Sequence, residues 1–507
     1  MKTKLLLSLA VLLLCVSWSV AQSPQAAPAQ SPAVQQSPSP VPSPSASPVT
    51  PNNRVEIEEE PVEKDHKLTP AEAHELLLSV DEVLHFVSRD TLLPIKHDVK
   101  KRIVSRNQVE KFITERFKDD VDRIRFERSE LVLKKFGLLP RTFDLHSFLI
   151  KLLTEQVAGY YDEKTKTMNL LDWIAPDMQK AVMAHELTHA LQDQSYDLEK
   201  MSRHEEAIEK KGLDDLKGLI EEDEQSTCRS AVMEGQGMIV LVDYMLQPVG
   251  KSVQSAPQIV EMMQSSMEKD KNSPVFESAP ELLQDELIFP YRQGMNFIKE
   301  LLLVGGKKLA YTGVLDRMPQ TTREILEPKE YLAGHRVPPL YLPDVSFLKK
   351  DYEPYDAGAV GEFDVNVILK IYDAEKVANY LSPEWRGGAY YAAGRKGVTP
   401  ADKNSTGHIG LYYISKWSGS APAQEFARIY ASSLPQRYKQ LQHQPADPAQ
   451  PGLDRYTSSD GPIYIQQKGN MVIAVESFEP DNAQKLIAAG LKQGDSAREP
   501  QPVAGSH

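Results

Sequence analysis

The sequence predicts an α+β, predominantly helical fold, and three observations carry that expectation. Apolar residues recur at helical spacing from Leu68 onward, as in Leu76, Leu77, Val80, Leu84 and Val87. A hairpin pattern at 157–171 stands directly before an apolar, motif-bearing helix that starts at Pro176. Beyond Pro338-Pro339, short β-like runs alternate with helices. Together they give a largely helical body over 54–340 with a short hairpin sheet, followed by a smaller α+β domain over 341–495 that is suited to substrate or partner contact.

The ends of the chain read differently. Lys2 and Lys4, the apolar run from Leu5 to Val16 and Ser19-Val20-Ala21 form a secretory signal over 1–21, with cleavage before Gln22. The run is short for a bilayer span, so the favoured reading is a cleaved signal and the alternative an uncleaved anchor. Leu14 is too large for the position before a lipidated cysteine, which argues against lipidation of Cys15. Residues 22–53 are Pro, Ser, Ala and Gln with almost no apolar bulk. They read as an extended tether, or alternatively as a proline-rich ligand for a partner. The stretch 496–507 reads as a loose tail.

Cleavage removes Cys15 and leaves Cys228 alone, so no internal disulfide is expected and core packing must stabilise the mature chain. Cys228 itself reads as a small buried apolar residue. The net charge of −13, which becomes −15 without Lys2 and Lys4, argues against nucleic acid as a partner. A secreted or periplasmic protein without stable membrane insertion is expected.

Along the folded part, Thr69-Pro70 opens the first helix. A second, longer helix carries Val109, Phe112, Ile113, Phe117, Val121 and Ile124 through charged surroundings and stops near Gly137 and Pro140. Residues 157–162 and 167–171 flank Glu163-Lys164-Thr165-Lys166 as a hairpin, either a plain structural one or a ledge whose edge holds an extended peptide. The helix from Pro176 runs to about Gln194. A polar stretch from Tyr196 to Glu224 reads as exposed and partly helical, and Ser226 to Leu246 as an apolar helix. More helices follow between Leu287 and Tyr331. The C-terminal part reads as β-like at Val365–Ile371, Gly388–Ala393, His408–Ser415, Ile463–Gln467 and Met471–Val475, with helices at Ala423–Ser433 and from Asp481.

The chemistry centres on Val182-Met183-Ala184-His185-Glu186-Leu187-Thr188-His189-Ala190-Leu191. Residues four apart on a helix share a face, so His185 and His189 can grip one ion with Glu186 beside it. This is the H-E-x-x-H pattern of zinc hydrolases. The apolar neighbours suit a buried metal helix; paired surface histidines are the plainer alternative. A catalytic zinc needs a third protein ligand and an open position. Glu234 is the best candidate, because it interrupts the apolar run Ala231-Val232-Met233 and Met238-Ile239-Val240-Leu241, where a buried carboxylate needs a partner. Gly235 beside it would let another backbone approach. Glu222, Asp223 and Glu224 are rival carboxylates, but they lie in a charged run that reads as solvated.

With these residues in place, the chain resembles the gluzincin metallopeptidases, the thermolysin-like group with two histidines and a downstream glutamate on zinc. Ala184-His185-Glu186-Leu187-Thr188-His189-Ala190-Leu191-Gln192-Asp193-Gln194, followed by Ala231-Val232-Met233-Glu234-Gly235, also resembles a set of exported bacterial proteins with the same pairing. The likeness is firm over about 155–245 and fainter at Phe289-Pro290-Tyr291 and Pro319-Gln320-Thr321-Thr322. It implies a zincin-like domain over 54–340, one Zn2+ on His185, His189 and Glu234, and hydrolysis of peptide or protein substrates. Glu186 would take a proton from the attacking water and pass it to the leaving amine. Such relatives often carry an acidic residue shortly after the glutamate, and here Gln236, Gly237 and Met238 stand instead. Asp193, four residues after His189, is the substitute expected behind the ligands. Tyr291 and His335 are candidate donors to a developing oxyanion, with packing as the ordinary alternative for each. Two rival functions remain, a binding protein with a structural zinc and a zinc hydrolase of non-peptide amides or esters.

Overall fold

The computed structural model describes residues 67–116, 120–267, 273–399, 402–496 and 501–502. The signal expected at 1–21 and the tether at 22–53 lie outside these residues, as does most of the tail expected from 496. The chain is α+β and mostly helical, with one three-stranded and one seven-stranded sheet.

Helix α1 (Pro70–Thr91) begins where the sequence places it. Thr69 caps it through the Glu72 N–H, and Glu72 reaches back to the Thr69 N–H at 2.8 Å. Its buried stripe is Leu76, Val80, Val83, Leu84 and Val87. Strand β1 (Lys100–Val104) follows. Helices α2 (Arg106–Arg116) and α3 (Asp120–Phe136) stand on either side of 117–119, within the stretch read as one long helix. Helix α4 (Leu145–Gln156), capped by Asp144, leads into β2 (Tyr160–Asp162) and β3 (Thr167–Leu171). These last two form the expected hairpin. β3 is the middle strand of the small sheet, antiparallel to β2 and parallel to β1, which leaves β2 at one edge.

Helix α5 (Pro176–Tyr196) carries the histidine motif and is buried along thirteen residues, from Gln179 to Asp193. After α6 (Leu198–Lys211), which has no buried residue, comes α7 (Leu216–Leu246), one continuous helix of 31 residues. This corrects the expected break between an exposed polar stretch and an apolar helix. Glu222, Asp223 and Glu224 lie within α7 and are buried, not solvated. Asp223 accepts the Ala359 N–H at 2.9 Å, Glu224 accepts the Thr322 N–H at 2.9 Å, and Glu222 pairs with Arg229. Charged side chains are tolerated in the interior when each has such partners.

Helices α8 (Gln258–Met267), α9 (Pro274–Glu277) and α10 (Glu281–Lys307) follow. α10 breaks at Gly306 and passes into a π-helical turn, Lys308–Gly313. Short helices α11 (Val314–Asp316), α12 (Thr322–Leu326) and α13 (Pro328–Ala333) lead to β4 (His335–Arg336). One core joins α1, α5, α7, α10 and the π-turn through Val80, Leu84, Leu187, Leu191, Val232, Ile239, Ile298 and Tyr311.

The remaining chain builds the large sheet. Its strands are β5 (Tyr352–Ala359), β6 (Trp385–Arg395), β7 (Ile409–Trp417), β8 (Gln442–His443), β9 (Leu453–Ser458), β10 (Gly461–Lys468) and β11 (Met471–Glu476). They are antiparallel throughout, in the order β5-β6-β7-β11-β10-β9-β8. Helices α14 (Glu362–Tyr372), α15 (Glu375–Leu381), α16 (Ser420–Arg437) and α17 (Pro480–Ser496) accompany it. Strand alternation divides the side chains between two cores. Tyr390, Ala392, Leu411 and Tyr413 pack with α3, α4, α14 and α16, while Ala389, Tyr391, Tyr412 and Ile414 pack with α17 and the segment around Leu340 and Leu348.

Val365–Ile371, read as β-like, is helical. A short buried apolar run does not distinguish strand from helix. What decides is Asp364, which accepts the Gly361 N–H at 2.8 Å and so caps the helix start. Across residue 340, where a domain boundary is expected, packing is continuous. Phe289 and Phe363 lie 4.1 Å apart between ring centroids, and α7 reaches β5 through Asp223.

Candidate metal centre

Three side chains from two helices meet in the interior. His185 Nε2 lies 3.0 Å from Glu234 Oε2 and 3.0 Å from His189 Nε2, and His189 Nε2 lies 3.5 Å from Glu234 Oε2. Among the described residues this is the group of histidine, cysteine and carboxylate side chains close enough to hold a metal ion. The geometry fits one. Four ligands at about 2.0–2.1 Å in tetrahedral array stand roughly 3.3 Å from one another, and the three observed edges bracket that value. The chemistry fits as well. Two imidazole nitrogens and a carboxylate oxygen turned toward one point need a proton or a metal ion among them to offset their lone-pair repulsion, and their donor set is one that zinc accepts.

Glu186, next to His185 on α5, is 1 % exposed. Its Oε2 accepts the backbone N–H of Tyr161 on β2 at 2.8 Å, and its Oε1 is buried without a protein partner. The edge strand therefore spends an outward-facing N–H on holding this carboxylate. Burial pushes Glu186 up to about 8, with Glu234 adding to the rise and His189 and the Tyr161 N–H opposing it. Burial likewise lowers His185. For His189 burial is the largest influence and acts downward, but Glu234, Glu186 and the Gln192 hydrogen bond together outweigh it and lift the imidazole to about 9. Glu234 is held down at about 2: burial would raise it, and the two histidines prevail.

Close helix crossings set this geometry. A Cβ on Gly235 would stand 2.3 Å from the backbone carbonyl of Gly294, and one on Gly294 would stand 2.0 Å from the carbonyl oxygen of Ala231. The expected backbone approach at Gly235 is thus the crossing of α7 and α10. Tyr291, one turn before Gly294, is buried with its ring 6.3 Å from the His185 ring at an interplanar angle of 27°. Burial, with Glu234 and Glu186 nearby, pushes its phenol well above the usual range, so it stays a proton donor. On the other side of α7, a Cβ on Gly237 would stand 2.7 Å from His185 Cε1 and Nδ1. Only glycine leaves room for that ring.

The structure thus brings His185, Glu186, His189, Glu234 and Tyr291 together. It does not bring His335. That side chain is exposed on β4, with Nδ1 3.2 Å from Glu330 Oε2. Nor does Asp193 stand behind a histidine. It accepts the Tyr161 hydroxyl at 2.7 Å and Lys166 Nζ at 2.8 Å, tying the hairpin to α5. The place behind His189 belongs to Gln192, whose Oε1 lies 2.8 Å from His189 Nδ1. Gln192 and the Tyr161 N–H were not read from the sequence. Gln236 was read only as a missing acid, although a buried amide in an apolar helix carries the same signal that marked Glu234. Cys228 is buried, as expected.

Comparisons with protein-family models, with curated proteins and with solved structures return no match.

Proposed function

We propose that the chain is an exported zinc metallopeptidase of gluzincin type, with a zincin-like arrangement of α5 against the β1-β3-β2 sheet. The observation that carries this reading is the convergence of His185, His189 and Glu234 beside a pinned Glu186 whose second oxygen has no protein partner. A structural zinc site closes its fourth position with a protein ligand and has no need for a neighbouring carboxylate. Among the described residues no further histidine, cysteine or carboxylate joins the three.

Zinc held by these residues supplies Lewis-acid polarisation of the scissile carbonyl and makes water more acidic. The chain's own groups do the rest. The Tyr161 N–H fixes Glu186 Oε2, so Oε1 is left to take a proton from the attacking water. The same carboxyl, adjacent to His185 on α5 and held by the Tyr161 N–H, is positioned to deliver that proton to the leaving nitrogen. The Tyr291 phenol, protonated and stacked beside His185, is the donor placed to stabilise the developing oxyanion. The amino-terminal signal pattern supports export, and the acidic charge supports a peptide rather than a nucleic acid as substrate.

The test is cleavage of a mixed peptide library by the full chain and by Glu186→Gln, with metal content measured in both. Cleavage in the wild type, lost in the variant while zinc is retained, is the expected result. A zinc-loaded wild type that cleaves no peptide contradicts the reading.

A further inference from the structure

The amides of Gln192 and Gln236 form a chain whose direction is set from outside the metal centre. Gln236 Nε2 donates to the carbonyl oxygens of Ala310 and Tyr311, at 2.7 and 3.1 Å, both on the π-helical turn after α10. Carbonyls only accept, so the amino end of Gln236 is fixed there and its Oε1 faces Gln192. Gln192 Nε2 donates to that oxygen at 2.8 Å and to the carbonyl of Met233 at 3.2 Å. Its own Oε1 then has one task left, to accept from His189 Nδ1 at 2.8 Å. Every hydrogen on both amides has an acceptor, and both side chains are 0 % exposed.

The consequence lies at the far end of this chain. An acceptor at Nδ1 keeps a hydrogen of His189 on Nδ1, so in the neutral ring, the form that can ligate a metal, Nε2 turns its lone pair toward His185 and Glu234. The backbone of a π-turn, a local form of helix frequent at functional sites, thereby fixes a tautomer across two glutamines. We infer that Gln192 and Gln236 are positioning residues that set the metal affinity of the His185, His189 and Glu234 centre through the tautomer of His189. This rests on the metal-centre reading above. The acceptor is a neutral amide where gluzincin-like chains were expected to use a carboxylate. It orients the imidazole without adding negative charge to a site that already holds Glu186 and Glu234.

The experiment is a chelator-competition titration of Zn2+ into the metal-stripped full chain, comparing wild type with Gln192→Met, Gln192→Glu and Gln236→Met. Methionine keeps the length and volume of glutamine and removes the hydrogen bonds. Loss of such a partner behind a ligand weakens metal binding by about 10- to 100-fold, and that loss is expected for Gln192→Met. A smaller loss is expected for Gln236→Met, because Gln192 keeps its bond to Met233. Gln192→Glu restores an acceptor at His189 Nδ1 and is expected to bind more tightly than Gln192→Met. A packing role alone would leave both methionine variants at wild-type affinity, and that result overturns the inference. Should Gln192→Met not fold, unchanged affinity in Gln236→Met does the same. A wild type that takes up no zinc overturns the metal-centre reading and this inference together, whereas wild-type uptake with unchanged variants removes only the relay.

Discussion

Alanine at Gly235 and at Gly237 adds the same methyl group two residues apart on α7, with different consequences. At Gly237 the new carbon would stand 2.7 Å from two atoms of the His185 ring, against an ordinary contact of 3.4 Å or more. The ring must give way by about 0.7 Å, and it is fully buried. A displacement of that size at a metal ligand is expected to weaken zinc binding by at least 10-fold, the lower end of what loss of ligand support costs. At Gly235 the carbon would stand 2.3 Å from the Gly294 carbonyl, so α7 and α10 must part by about 1.1 Å. Overpacking of this kind costs roughly 1–3 kcal/mol. It moves Tyr291, which is on α10, but leaves the α5 and α7 ligands facing each other. Gly235→Ala is therefore expected to keep zinc affinity within a few-fold, to lose stability, and to lose up to about 100-fold in peptide turnover from a misplacement near 1 Å. Zinc titration with a competing chelator and denaturant unfolding of the full chain separate the two. Wild-type affinity in Gly237→Ala, or a larger affinity loss in Gly235→Ala than in Gly237→Ala, would refute the helix-crossing argument.

Two further outcomes follow from the same geometry. Tyr291→Phe removes the phenol and keeps the ring beside His185. Turnover is expected to fall by about 100-fold or more, the usual cost of an oxyanion donor, with metal content unchanged; unchanged turnover would return Tyr291 to a packing role. Glu224, buried at the junction of α7 and α12, is pushed up to about 7 by burial and by Asp364, against the hydrogen bonds from Thr322. The folded chain therefore keeps this proton after the unfolded chain has released it, and stability falls as pH rises from the unfolded value near 4.5 to about 7. Glu224→Gln removes that term, so its stability relative to wild type should rise over this window by up to about 3 kcal/mol, at ~1.4 kcal/mol per unit. Parallel pH profiles for the two proteins in denaturant unfolding would contradict it.

Local sequence signals located the centre but not what supports it. The His185–His189 spacing lies within one helix, and Glu234 stands out because a carboxylate interrupts an apolar run. Both are legible without any knowledge of distant contacts. The Tyr161 N–H on Glu186 and the Gln192–Gln236 chain join residues 25 to 75 positions apart, and no local pattern encodes them. The same limit explains the misreadings. Asp223 and Glu224 look solvated because their partners Ala359 and Thr322 come from β5 and α12, far along the chain, whereas the Arg229 partner of Glu222 lies two turns on along α7. His335, a candidate oxyanion donor from the sequence, is an exposed residue paired with Glu330. For the fold, helices with a clear apolar stripe, such as α1, were read to within a residue or two at their starts. The run Val365–Ile371 is short and apolar enough to read as a strand; the less buried Asn366 and Lys370, four apart, and the cap at Asp364 mark it as α14.

The proposed chemistry depends on one buried three-ligand site, and zinc stoichiometry with affinity in Glu234→Ala tests that site most directly. Calorimetric titration of metal-stripped full chain should give one ion per wild-type chain. Glu234→Ala should lose at least 100-fold in affinity, since two histidines alone leave the ion without a charged ligand. A wild type that binds no ion, or a Glu234→Ala variant that binds one at full strength, would contradict the assignment.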